Sequence, residues 1–89
     1  MSSLIERFGR AAKAGEVLFR EGDAGKEMFV IQAGKVKLSR TIRGQDKVIA
    51  ELGAGEFFGE MSIINDKPRT ATAVVTEDAQ LLALDPKTF

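Results

Sequence analysis

The chain has 89 residues, 44% of them apolar, with thirteen basic side chains balanced by thirteen acidic ones, which describes one small domain with a core near the lower limit for independent stability. The cancelling charge leaves no summed field to draw in nucleic acid or an anionic membrane, so any anion has to be held locally. With no Cys and no His, disulfides, iron–sulfur clusters, thiolate chemistry, the commonest metal ligand and the usual general base are all missing, so neither a metal site nor catalytic residues are expected.

No apolar run approaches bilayer length, and Met1 to Gly15 lacks the apolar centre of a signal peptide, so a cytoplasmic domain, or a cytoplasmic part of something larger, is expected. At the start, Ser3-Leu4-Ile5-Glu6 has the spacing of a capping box, which allows a short helix within Met1 to Gly9 or a frayed terminus. From Ala14 onward, glycines at 15, 22, 25, 34, 44, 53, 55 and 59 separate short apolar runs, the pattern of closely spaced strands joined by turns. Glu16 to Arg20 reads as a strand with Val17 and Phe19 on one face, closed by a turn at Arg20-Glu21-Gly22-Asp23. Met28 to Gln32 reads as a buried strand.

Gly34 is expected to turn the chain into Lys35 to Ile42, where apolar and polar residues alternate, one face toward the core and one toward solvent. Lys35, Lys37 and Arg40 make a basic, solvated edge there. Arg43-Gly44-Gln45-Asp46 is a hairpin loop leading to a strand over Lys47 to Leu52, and Gly53-Ala54-Gly55-Glu56 turns into the next segment. Val48, Ile49, Leu52 and Phe58 are expected to pack in the core, although each could line a ligand base.

The segment Phe57 to Ala73 carries the chemistry. An apolar run ends at Gly59, Glu60 to Ile64 has room for a turn or so of helix, Asn65-Asp66 and Pro68 break it, and Thr70 to Val75 reads as a strand. Gly59 has no Cβ, so backbone amides at the start of the helical turn can approach an anion closely. Arg69 offers a guanidinium fork that matches two phosphate oxygens, and Pro68 fixes its backbone entry. Glu60 would repel a phosphate. As a pure acceptor, it suits a hydroxyl on the same ligand, such as one on a ribose. A turn at Glu77-Asp78 and a strand over Gln80 to Leu84 complete seven or eight short strands, enough for two facing sheets or a closed roll. Asp85-Pro86 then opens another helix.

The run Phe58-Gly59-Glu60 followed by Pro68-Arg69-Thr70-Ala71-Thr72 resembles the phosphate-binding cassette of cyclic nucleotide-binding domains. Such domains occur in catabolite-activator-type regulators, protein kinase regulatory subunits and cyclic-nucleotide-gated channels. Gly15 to Asp23 and Phe29 to Gly34 also look like the family's first hairpins. The resemblance implies a mainly β fold, an eight-stranded antiparallel jelly roll with a short helical phosphate-binding cassette and short flanking helices. It implies a regulatory, non-enzymatic module that binds cyclic AMP or cyclic GMP as ligand, with no further cofactor. It puts the ribose 2′-hydroxyl on Glu60, the cyclic phosphate on Arg69, and the remaining ligand contacts on Gly59, Met61, Ser62, Thr70 and Ala71. In related domains, helices after the roll cover the base and carry the signal to an effector. A homodimer is compatible with this reading, whereas direct nucleic-acid binding or membrane insertion is not expected of the chain.

Other readings stay open. Glu60 and Arg69 could be a structural ion pair across the cassette turn. Thr70 could meet a guanine amino group, favouring cyclic GMP, or could serve only phosphate or packing; cyclic AMP is preferred overall. The glycines from Gly53 to Gly59 do not match a dinucleotide-binding spacing, and no Gly-Lys-Ser or Gly-Lys-Thr loop is present. From other classes, the chain could be a roll used for dimerisation or docking without nucleotide, or the sensor half of a DNA-binding transcription regulator.

Overall fold

A computed structural model of the chain describes residues 8–25, 27–59 and 68–84. Among these residues, six antiparallel strands make up the fold: β1 (Gly9–Ala12), β2 (Val17–Phe19), β3 (Met28–Ile42), β4 (Gln45–Leu52), β5 (Phe57–Phe58) and β6 (Thr72–Leu84). The expected cassette turn, the helix opening at Asp85-Pro86 and most of the expected helix over Met1 to Gly9 lie outside the described residues. Gly9 itself begins a strand.

The two long strands organise everything else. β3 and β6 run against each other from Met28 opposite Leu84 to Ser39 opposite Thr72, with register shifts between Ile31 and Val36. On one side of those shifts the pair is flanked by β1 and β5; on the other it is flanked by β2 and β4. Each long strand therefore serves two four-stranded halves, and dividing both at the shifts recovers the eight strands of a jelly roll. The turns expected at Gly34 and at Glu77-Asp78 are not turns: both lie inside continuous strands, as irregularities facing each other. Gly34 has φ +90°, and a Cβ there would overlap the Asp78 carbonyl oxygen and lie 2.6 Å from the Ala79 Cα. The two backbones cross too closely for any side chain.

The core between the halves is formed by Phe29, Ile31, Val36, Phe58, Ala73, Val75 and Leu81. Phe19, Phe29 and Phe58 pack their rings together, with centroids 5.2–6.0 Å apart, a spacing typical of favourable aromatic pairs. Phe58 and Leu52 join the core or pack on it, as expected. Val48 and Ile49 do not, being 56% and 51% exposed. A bulge opposite Leu38 and Ser39 leaves Ile49 without a cross-strand partner, and every residue from Arg40 to Ile49 is exposed. This hairpin stands clear of the core, so the inward face expected for Lys35 to Ile42 ends at Leu38. Its loop is also tighter than expected: Arg43 and Gly44 both have positive φ and join directly paired Ile42 and Gln45, the two-residue turn that suits strand twist.

Candidate functional site

Arg69 lies just before β6, where backbone bonds fix it to the turn after β2. The Arg69 N–H donates to the Asp23 carbonyl at 2.8 Å, and the Gly22 N–H donates to the Arg69 carbonyl at 2.8 Å. That turn is braced in its own right. The Asp23 N–H donates to the Arg20 carbonyl, the Arg20 N–H to Asp23 Oδ2 at 2.9 Å, and the Glu21 N–H to Thr72 Oγ1 at 3.0 Å. The backbone that carries the guanidinium is thus held before any ligand interaction is considered, which is the condition for a precise site.

Arg69 is 5% exposed. Its Cζ sits 4.1 Å from the centre of the Phe19 ring, and Nη1 donates to the Gly59 carbonyl at 3.3 Å. Nε is buried with no hydrogen-bond partner. Burial pushes the guanidinium pKa below its ordinary value, and the nearby carboxylates of Glu27 and Asp23 pull it partly back. Among the described residues Arg69 forms no ion pair. A buried cation with an unmatched donor is costly to a fold unless an acceptor is supplied. An anionic ester offers such acceptors in the geometry a guanidinium prefers, so the residues present suit an oxyanion.

Gly59 meets Arg69 closely. It has φ +89°, and a Cβ there would lie 2.8 Å from Arg69 Nη1 and 2.9 Å from the Glu27 carbonyl oxygen. A glycine is required at 59 by its backbone conformation, and the close approach visible here is that of the arginine. Of the remaining expected site residues, Thr70 is exposed beside Arg69, and Ala71 is buried in the packing at 5% exposure. Glu60, Met61 and Ser62 lie outside the described residues. Phe19, the Gly22-Asp23 backbone, Gly25 and Glu27 belong to the surroundings of Arg69 and were not expected there. Turn chemistry marks Gly22-Asp23 in the sequence, yet no local pattern links it to an arginine over forty positions away.

A cavity of about 300 Å³ lined by Ala11, Ala12, Lys13, Ala33, Asp78, Ala79 and Gln80 shares no residue with this site. Among the described residues there is no cluster of groups able to hold a metal ion, and no helix long and apolar enough to cross a membrane.

A sequence profile described as "cyclic nucleotide-binding domain" matches residues 10–89. The chain is 46% identical over 71 residues to the cyclic AMP receptor protein of Thermus thermophilus, covering 79% of this chain and 33% of that protein. It is 37% identical over 78 residues to human cGMP-dependent protein kinase 2, covering 84% of this chain and 10% of that protein. Among solved structures, the Thermus thermophilus catabolite activator protein superposes with a TM-score of 0.89 at 39% identity, covering 98% of this chain and 42% of that one. The chain thus spans a third or less of these curated relatives.

Proposed function

We infer the function from one premise: the chain belongs to the cyclic nucleotide-binding domain family, whose profile covers nearly all of it. It is a regulatory ligand-binding domain built on a jelly roll. We propose that its ligand is cyclic AMP in preference to cyclic GMP. The cyclic AMP receptor protein is 46% identical, against 37% for cGMP-dependent protein kinase 2 and 36% for a cAMP-dependent protein kinase regulatory subunit. Arg69 would grip the cyclic phosphate, Glu60 would accept from the ribose 2′-hydroxyl, and Gly59, Met61, Ser62, Thr70 and Ala71 would complete the contacts. We place the domain in the cytoplasm, with an effector that reads its ligand state.

The observation that carries this reading is the buried Arg69 guanidinium with its unmatched Nε. A phosphate supplies negative charge and acceptors for the unmatched donor. A ligand oxygen that accepts from Nη1 would also compete with the Gly59 carbonyl, which now holds that donor. Binding would then act on the segment that Gly59 opens, and a regulatory module needs such a differential interaction between two conformations. Thermal unfolding with each nucleotide tests the reading. Ligand at a hundred times its Kd should add about 2.7 kcal/mol of stability, with cyclic AMP giving the larger shift at equal concentration. The absence of a shift with either nucleotide would refute it.

A further inference from the structure

Gly25 is not among the expected ligand contacts, but it is packed against the arginine that is. A Cβ built on Gly25 would lie 2.7 Å from Arg69 Nε, 2.8 Å from Nη2 and 3.1 Å from Cζ. Because Cζ is the farthest of the three, the added atom would sit off the edge joining Nε to Nη2 and not over the face of the guanidinium. The Phe19 ring lies 4.1 Å from Cζ, and the Gly59 carbonyl holds Nη1. The Nε–Nη2 edge is one with which a guanidinium takes two oxygens at once. It also contains the buried N–H without a partner.

We propose that Gly25 is a positioning residue for anion recognition: its lack of a side chain lets the Nε–Nη2 edge of Arg69 lie where it does. This rests on the assignment of Arg69 to the cyclic phosphate. Unlike Gly59, Gly25 does not have a left-handed φ, so its need for glycine is not conformational. Glycine is therefore needed at 25 for room beside Arg69, and a methyl group there has to push aside either the guanidinium or the loop. On the Nε–Nη2 edge the methyl would also crowd the place of the two ligand oxygens, so its steric demand falls on Arg69 and on the bound anion.

Gly25→Ala in the intact chain tests this, read by titration with cyclic AMP and by the Arg69 Nε–H correlation in a nitrogen-15 NMR spectrum. The expected result is a displaced Arg69 Nε–H signal and an affinity lowered by about tenfold or more, the sensitivity expected when a gripping group is moved by a fraction of an ångström. An unmoved Nε–H signal, or an affinity within about twofold of the parent, would overturn the proposal. If Gly25→Ala does not fold, the double variant Gly25→Ala/Arg69→Lys decides. Lysine has no Nε–Nη2 edge to collide with the methyl, so a recovered melting transition supports the contact and no recovery overturns it. Failure of the parent to bind either nucleotide would sink the ligand reading and with it the role of Gly25 in recognition, whereas a parent that binds while Gly25→Ala leaves signal and affinity unchanged would overturn the positioning role alone.

Discussion

The Arg69 guanidinium carbon lies 4.1 Å from the centre of the Phe19 ring, and the same ring packs against Phe29 and Phe58 at 6.0 Å. The hydrophobic core of the roll therefore forms the floor on which the proposed anion-binding charge rests. Phe19 packs in the core and, on the proposed reading, also supports recognition. A cation over an aromatic face contributes on the order of 0.5–2 kcal/mol, more when desolvated. Phe19→Leu keeps most of the apolar bulk and removes that contact. It should lower stability by about 1–2 kcal/mol in urea unfolding and weaken cyclic nucleotide binding by about threefold or more. Unchanged affinity would show that Phe19 only fills space.

Arg69 itself should work against the stability of the unliganded fold. Burial lowers its pKa, so the charged form is worse off in the folded chain than in the unfolded one. The sign follows: the penalty is present wherever the guanidinium is charged, and it is relieved only as pH rises through the lowered folded pKa. Arg69→Met, which fills similar volume without charge, should melt at or above the parent's temperature without ligand and show no nucleotide-induced shift. A clear loss of stability in Arg69→Met would mean that the cation is compensated within the fold.

The crossing of β3 and β6 makes a second kind of demand. Gly34→Ala should cost more than about 2 kcal/mol in urea unfolding, because left-handed strain is combined with a backbone clash. Gly44→Ala provides the contrast. Gly44 also has positive φ, at 78°, but a Cβ there meets nothing within 4 Å, so only the strain of about 1 kcal/mol applies. Equal costs at the two positions would contradict the close crossing.

Gly34 also shows where sequence reading stops. Glycine followed by a new alternation looks the same whether the chain reverses or merely bends past a neighbour, since both need a residue without Cβ. Likewise Glu77-Asp78 has turn composition but sits within a strand because β3 pairs across it. The strand β1 was not foreseen because Gly9-Arg10-Ala11-Ala12 has no apolar alternation, and pairing with β6 alone makes it a strand. Val48 and Ile49 follow strand composition yet lie beyond the reach of the core. The family resemblance of the cassette stretch was legible because its motif residues are close in sequence. Its supports from Phe19 to Glu27 were not, because only the fold brings them to Arg69.

Isothermal titration of cyclic AMP into the parent chain and into Arg69→Ala is the most direct measurement of the central claim, that a buried guanidinium holds the cyclic phosphate. The expected outcome is saturable binding by the parent and a loss of about 2–5 kcal/mol in Arg69→Ala, with Glu60→Gln weakened less because its amide still accepts one hydroxyl hydrogen bond. Equal affinities for the parent and Arg69→Ala would contradict it.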